Sequence, residues 1–167
     1  GFLETRDVFC RTRDLGLERL MMLIKPRLQA QLDASLGSAS VSFDLDSHAY
    51  SSLSAGNDPY VRQLLQLTQV GLEHTNHSLG LELSALLAAS VALFVAKRVE
   101  HAVVRKRFSQ FGALLLDRQV RDIKSFFVNF AGAAPAADSF RRLQQIVALL
   151  SLDQVEDLHD VYSGDTP

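Results

Sequence analysis

The sequence predicts an all-α fold, and three observations support that prediction. Apolar residues recur at intervals of three and four along most of the chain, which is the period of one helical face. Glycine, proline and serine residues separate the periodic segments, as they do where helices end. No stretch alternates convincingly between apolar and polar residues as a β-strand does. We therefore expect long antiparallel helices that pack as a bundle.

The first helix is predicted over residues 2–36. Its apolar face consists of Leu17, Leu20, Met21, Ile24, Leu28 and Leu32. Pro26 should kink this helix or divide it after Ile24, because proline lacks an N–H and crowds the preceding turn. Residues 37–56 are rich in serine and contain no lysine or arginine, so this segment is predicted to be a polar loop.

The second helix is predicted to begin in the stretch "GNDPYVRQLL" and to run to about Ser78. Asn57 or Asp58 can cap it, because the side-chain oxygen of either residue accepts a hydrogen bond from a free N–H of the first turn. Pro59 suits the first helical position, where its missing N–H would be unpaired in any case. We therefore expect Asp58 and Pro59 to start this helix.

The third helix is predicted from about Leu81 to Gln110, with Gly112 placed to end it. Its centre is apolar nearly all round, which is typical of a helix in the middle of a bundle. Residues 83–96 are uncharged, but a membrane-spanning helix needs about 20 apolar residues. A helix buried in protein is the better interpretation.

Shorter helices are predicted in the last third of the chain. Asp117 can cap a fourth helix, which Gly132 and Pro135 would stop. Residues 138–150 repeat the helical pattern, and residues 151–161 open with a capping-box sequence for a last short helix.

This change in helix length predicts two units. Residues 1–116 would form a helical bundle domain that includes the polar loop 37–56. Residues 117–167 would form a small C-terminal helical domain.

Composition excludes several classes of function. The chain has 167 residues, 47% apolar and 22% charged, as in a soluble globular protein. Its net charge of −2 gives no indication of nucleic-acid binding. The only cysteine, Cys10, excludes an internal disulfide framework and favours a reducing compartment. We find no targeting segment in the sequence.

Residues that could carry catalysis or bind a metal are few. Glu73, His74 and His77 lie close together on a predicted helix, but a metal site would need further ligands, and a di-metal bundle would need a second Glu-x-x-His. Nothing around Cys10 resembles a catalytic signature, and "AGAAPAAD" lacks the ending of a phosphate-binding loop. The prediction is a protein without enzymatic activity, cofactor or metal. The alternative left open is a stand-alone helical bundle with a metal or small-molecule site.

Charge is distributed unevenly along the chain. Residues 97–124 carry an excess of lysine and arginine, whereas the tail beyond Leu152 is acidic and contains no base. The basic stretch could face an anionic membrane or an acidic partner helix. The alternative is a solvated face that the acidic tail partly neutralises, and we prefer this interpretation.

Four motifs, in this order, resemble one known family. They are "IKPRLQ" (24–29), "GNDPYV" (56–61), "FSQFGALLLDRQVRDIKSFF" (108–127) and "FRRLQQIVALLSLDQVEDLHDVY" (140–162). Together they are similar to the C-terminal part of the fourth subunit of the conserved oligomeric Golgi complex. The resemblance covers nearly the whole chain and rests on the order and spacing of all four motifs.

The resemblance implies a fold of the tethering-complex helical-rod type, in which a helical bundle precedes a small helical domain. It also implies a non-enzymatic interaction module of a Golgi vesicle tether that acts in intra-Golgi retrograde transport. The implied partners are other subunits of that complex, SNARE proteins or their regulators, and the cytoplasmic face of the Golgi membrane, with no nucleic acid. The family's proteins extend further on both sides, so the C-terminal unit would be truncated here.

Residues transferred from the family supply surface chemistry. Arg142 matches a family arginine whose acidic partner would lie in helices beyond residue 167, and Gly112, Asp117 and Arg121 match the junction between the two units. Their alternative roles are ion pairing, capping and helix ending. The predicted interaction surface comprises Arg142, Arg121, Arg118 and Lys124, and the predicted junction and capping residues are Asp58, Pro59, Gly112 and Asp117.

Overall fold

The structure is a computed structural model that describes residues 1–37, 42–54, 58–131 and 133–152. The all-α prediction is confirmed: the described residues form helices without a strand, and only an isolated bridge joins Phe43 and Phe108. The helices are α1 (Phe2–Leu36), α2 (Ser47–Ser54), α3 (Pro59–Asn76), α4 (Leu81–Val103), α5 (Gln110–Ala131), α6 (Ala133–Ser139) and α7 (Arg141–Leu150). No helix in these described segments is long and apolar enough to cross a membrane.

Helix α4 lies at the centre of the bundle, as its apolar sequence predicts. It contacts α1, α3, α5, α6 and α7. Two rows of side chains spaced by four residues are buried along it, one of small residues and one of larger aliphatic residues. The small row is Ser84, Ala88, Ala92 and Ala96, and the larger row is Leu87, Val91, Val95 and Val99. An ion pair between Asp33 and Arg98 also joins α1 to α4.

Helix α1 is longer than the bundle that it packs against. Its first buried residue is Met21, followed by Leu28, Leu32 and Leu36. Pro26 does not divide the helix, so of the two predicted effects only a kink remains a prediction. Pro26 and Met22 are both exposed, so water can reach the Met22 carbonyl that the missing proline N–H leaves without its helical partner.

The start of α3 follows the sequence prediction. Asp58 is the N-cap, its side chain accepts a hydrogen bond from the Tyr60 N–H at 3.1 Å, and Pro59 is the first helical residue. Part of the predicted polar loop 37–56 is instead helical, as α2. Asp46 starts that helix by accepting a hydrogen bond from the Ala49 N–H at 2.7 Å.

The prediction that Gly112 ends the third helix is wrong. Helix α4 ends at Val103, and Gly112 lies in the first turn of α5. The reason is Ser109, whose Oγ accepts a hydrogen bond from the Gly112 N–H at 3.2 Å and so starts α5 earlier than predicted. Asp117 consequently lies inside α5 and is not a cap.

Gly112 is needed for a close approach between two segments. A Cβ built there would lie 1.7 Å from the carbonyl oxygen of Phe43, so only glycine fits. The same Phe43 carbonyl accepts a hydrogen bond from the Ser109 N–H at 3.0 Å, and the Phe43 and Phe108 rings stack. The segment before α2 is thereby held against the start of α5.

The C-terminal helices complete the core. Helix α5 ends at Ala131, next to the predicted stop at Gly132, but α6 begins at Ala133 and contains Pro135. The buried core is continuous from α1 to α7, and the predicted boundary between residues 116 and 117 falls inside α5. The division into two units stays a prediction. The predicted helix over 151–161 lies almost entirely outside the described residues.

Candidate interaction surface

Helix α7 places Arg142 on its exposed side. Phe140, Leu143 and Val147 face the core, and the Arg142 side chain is 79% exposed. Its Nε lies 2.8 Å from Oε1 of Glu100 on α4, and the Glu100 side chain is only 20% exposed. The resemblance implies an acidic partner beyond residue 167, but the chain itself supplies one on α4.

Lys124 of α5 contacts the other side of α7. Its Nζ donates a hydrogen bond to Oε1 of Gln144 at 2.9 Å, which joins α5 to α7. Gln144 and Arg142 lie on opposite edges of α7 because residues two apart on a helix point about 200° apart. Helix α7 is therefore held between α4 and α5 by two polar contacts.

Arg121 and Arg118 lie three residues apart on α5, where they are neighbours on one helix face, but they make different contacts. Arg121 forms an ion pair with Asp117, one turn earlier on the same helix, and is mostly exposed. Arg118 is half-buried and lines a cleft of about 430 Å³ between α5 and α3. The predicted interaction residues therefore make contacts in different parts of the bundle. Lys124 meets α7, Arg142 meets α4, and Arg118 faces α3.

A polar contact that the sequence prediction missed lies in the lining of that cleft. The Gln119 side-chain amide donates a hydrogen bond to Oδ2 of Asp58, so the residue that caps α3 also ties α3 to α5. Gln119 is buried, and its own Oε1 has no hydrogen-bond partner in the described part of the chain. The sequence signal was available: Gln119 interrupts the apolar face formed by Leu115, Leu116, Val120 and Ile123.

Tyr60 is the buried neighbour of this contact. Burial, and after it the negative charge of Asp58, raises the pKa of the Tyr60 phenol far above its ordinary value. Its hydroxyl also has no hydrogen-bond partner among the described residues. The phenol is therefore neutral at physiological pH and acts as a core side chain.

The histidines of α3 do not gather metal ligands. Across the described segments, no group of three or more His, Cys, Asp or Glu residues could hold a metal ion. The Glu73 carboxylate instead accepts a hydrogen bond from Gln69 at 2.7 Å, and His74 and His77 line a groove between α1 and α3. No observation in this part of the chain supports the alternative of a metal-binding bundle.

That groove is larger than the cleft between α5 and α3, and we call it the α1–α3 groove. It encloses about 850 Å³ and is lined mainly by apolar side chains, among them Leu20, Leu23 and Ile24 of α1 and Leu67 and Val70 of α3. Large apolar residues are also exposed along the part of α1 that precedes it. They are Phe2, Leu3, Val8, Phe9 and Leu15.

The fold and these surfaces define an all-α bundle protein whose exposed charged and apolar side chains lie on helix faces and in shallow grooves. The family described as "Conserved oligomeric Golgi complex subunit 4, C-terminal" matches residues 5–166, and the chain belongs to this family. The resemblance found in the four sequence motifs is thereby confirmed.

Individual relatives agree with the family match. A protein of Arabidopsis thaliana named "Conserved oligomeric Golgi complex subunit 4" is 29% identical over 166 residues, which are 95% of this chain and 21% of that protein. The protein of the same name from Drosophila melanogaster is 28% identical over 159 residues, or 95% of this chain and 20% of its own length. The human protein of that name is 26% identical over 154 residues, covering 90% of this chain and 19% of that protein. The chain thus spans about a fifth of the length of the curated relatives that it matches.

Proposed function

We propose that this chain is a non-enzymatic part of a multisubunit Golgi vesicle-tethering complex, where it serves as a protein–protein interaction module. The observation that supports the proposal is the family match over residues 5–166, which includes every described helix apart from the first residues of α1. The relatives carry the name of a subunit of the conserved oligomeric Golgi complex. The process that we propose is intra-Golgi retrograde transport.

The proposed partners follow from that assignment. These partners are other subunits of the complex, and SNARE proteins or their regulators. We also propose that the protein contacts the cytoplasmic face of the Golgi membrane peripherally. Helix surfaces are the parts of this fold that can make such contacts, because the interior is filled with side chains of the described residues.

Arg142 is the residue that we propose for a contact with another subunit. Its pair with Glu100 uses Nε and leaves most of the guanidinium group exposed. A guanidinium can bind a second carboxylate through its other nitrogens, and such a contact becomes strong when a partner excludes water. Arg121, Arg118 and Lys124 extend the basic surface along α5 in this proposal.

The test separates the contact within the chain from a contact with a partner. Arg142→Glu alone should cost about 1 kcal/mol of folding stability, because it places a second carboxylate beside the mostly buried Glu100. The double change Arg142→Glu with Glu100→Arg restores the pair within the chain and should restore the melting temperature. If Arg142 also contacts a partner, the double variant still assembles poorly.

The measurement is recovery of sister subunits with the full-length protein, together with Golgi glycosylation in cells that depend on the variant. We expect the double variant to melt normally and to lose roughly 2 kcal/mol of interface free energy. Arg141→Glu is the matched control, because Arg141 is the neighbouring exposed arginine and pairs with Asp138 instead. Normal assembly and glycosylation with the double variant would show that Arg142 acts only within the chain.

A further inference from the structure

A single hydroxyl group joins the segment around α2 to the start of α5. We call residues 42–54, which include α2, the strap. The Ser109 Oγ donates a hydrogen bond to the Leu45 carbonyl at 2.7 Å, and the Leu45 N–H donates one back to Oγ at 2.9 Å. The Phe43 carbonyl is a second acceptor, 3.3 Å from Oγ. Ser109 therefore holds the strap with its hydroxyl proton, because carbonyl oxygens only accept hydrogen bonds.

The rest of the strap packs on α5 through two aromatic contacts. The Phe43 ring stacks on Phe108 with centroids 4.8 Å apart, and Tyr50 packs against Phe111. Among the described side chains of the strap only Phe43 is buried. A segment with few buried apolar contacts opens at a lower free energy than the core of the same protein. Opening of the strap would uncover the Phe108 and Phe111 rings while the bundle stays folded.

Basic residues directly precede Ser109. Arg105, Lys106 and Arg107 lie four, three and two residues before it, in the connection between α4 and α5. Both arginines are exposed. Protein kinases distinguish their substrates by the pattern of charges around the target hydroxyl. Bases at these positions fit a kinase with an acidic substrate groove, because the opposite charges attract.

We propose that Ser109 is a phosphorylation site and that its modification releases the strap. The donor is ATP, and the enzyme is a serine kinase that prefers bases before the serine. The Ser109 Oγ attacks the γ-phosphorus, the bond from that phosphorus to the leaving oxygen of ADP breaks, and the hydroxyl proton passes to a base of the kinase. The closed strap occupies the hydroxyl, so the kinase acts on the open form. This proposal goes beyond the proposed function, because it adds a means of regulation.

A phosphate at Ser109 opposes closing of the strap in two ways. It carries a charge of about −1.5 to −2 at pH 7, and its oxygens act mainly as acceptors. The carbonyls of Leu45 and Phe43 would therefore lose their donor. Asp44 and Asp46 flank Leu45 in the sequence, and they would repel the phosphate. Both effects shift the equilibrium toward the open strap.

The start of α5 should survive the modification. The Ser109 Oγ accepts a hydrogen bond from the Gly112 N–H at 3.2 Å, and a phosphate oxygen can accept the same bond. Arg105 and Arg107 are close enough in the sequence to pair with the phosphate. We therefore expect the strap to open without unwinding of α5.

The first test is phosphorylation of the full-length protein with ATP and the catalytic subunit of cAMP-dependent protein kinase, which prefers bases before the serine. Mass spectrometry locates the phosphate. We expect it on Ser109 and not on Ser139, a half-buried serine that follows Asp138. The double variant Arg105→Gln and Arg107→Gln should be phosphorylated at Ser109 roughly tenfold more slowly, because it lacks two of the bases that the kinase binds.

Hydrogen exchange then measures opening of the strap. In the phosphorylated protein, the amides of residues 42–54 should exchange roughly tenfold faster or more, whereas those of residues 87–95 in α4 should not change. Ser109→Asp and Ser109→Asn provide a matched pair. Both side chains can cap α5, but only asparagine can donate a hydrogen bond to the Leu45 carbonyl. Strap exchange should therefore be faster in the aspartate variant than in the asparagine variant.

Four results would overturn the proposal. They are absence of phosphate from Ser109, phosphate on Ser109 with unchanged exchange of the strap, equal strap exchange in the aspartate and asparagine variants, and faster exchange over residues 113–120, which would mean that α5 unwinds. None of these results decides the proposed function, because its test changes Arg142 and Glu100 and leaves Ser109 unaltered.

Discussion

Helix α4 and the first half of α1 contain similar residue types but have opposite surroundings. Small residues along α4, such as Ala88 and Ala92, allow other helices to approach it from several sides, so Leu87 and Val91 beside them are also fully buried. In α1, no residue before Met21 is buried, although Phe2 and Phe9 are larger than any apolar residue buried in α4. The difference shows that burial depends on what surrounds a helix as much as on its own apolar content. Each prediction below tests this contrast.

The largest effect is expected from an acidic substitution in α4. Leu87→Asp or Ala88→Asp would place an unpaired carboxylate at a site with no exposed surface, at a cost of about 4–5 kcal/mol or more. Loss of cooperative melting, measured by circular dichroism, is the expected result. Leu93→Asp on the exposed side of the same helix is the matched control and should still melt cooperatively. A normal melting curve for Leu87→Asp would place this face of α4 on the surface.

A smaller loss of stability is expected at Gly112. Gly112→Ala sets a Cβ against the Phe43 carbonyl oxygen, and because that partner is backbone, the segment before α2 must move. We expect a loss of about 3 kcal/mol by thermal or urea unfolding. Gly16→Ala is the matched control, because the space around Gly16 is open and alanine favours a helix by about 0.5–1 kcal/mol. Equal melting of both variants would mean that the contact between Phe43 and Gly112 does not form in solution.

Local sequence signals predicted the helix starts that depend only on neighbouring residues. Asp58 and Pro59 begin α3 as expected, since a cap needs only the N–H groups of the next turn. The predicted roles of Gly112 as a helix end and Asp117 as a cap are wrong, because the local cap at Ser109, which also contacts the distant Phe43, starts α5 before Gly112. Helix α2 is absent from the prediction although Asp46 caps it, and its packing is also distant: Tyr50 packs against Phe111 of α5, with ring centroids 5.7 Å apart.

The candidate interaction surface was predicted less completely than the fold. Sequence selects exposed arginines, but it does not show which carboxylate each one meets. Glu100 and Arg142 lie on different helices, and only the packing of α7 on α4 brings them together. Gln144 joins Lys124 in the same way. The arrangement of charges on this surface is therefore a consequence of tertiary packing.

The smallest effect is expected at Phe9, and it is the sharpest test of the contrast between the two helices. Phe9 lies twelve residues before Met21, or roughly 18 Å along the helix axis at 1.5 Å per residue, so Phe9→Asp should leave the bundle undisturbed. Phenylalanine and aspartate have similar helix propensities, and Arg6 and Arg13 lie three and four residues away, where they offset part of the new charge. We expect a change within about 0.5 kcal/mol.

The variant should be melted at two protein concentrations beside Leu87→Asp. A loss above about 1 kcal/mol at both concentrations would mean that the first half of α1 folds back onto its own bundle. A loss that grows with concentration would mean that it is buried between copies.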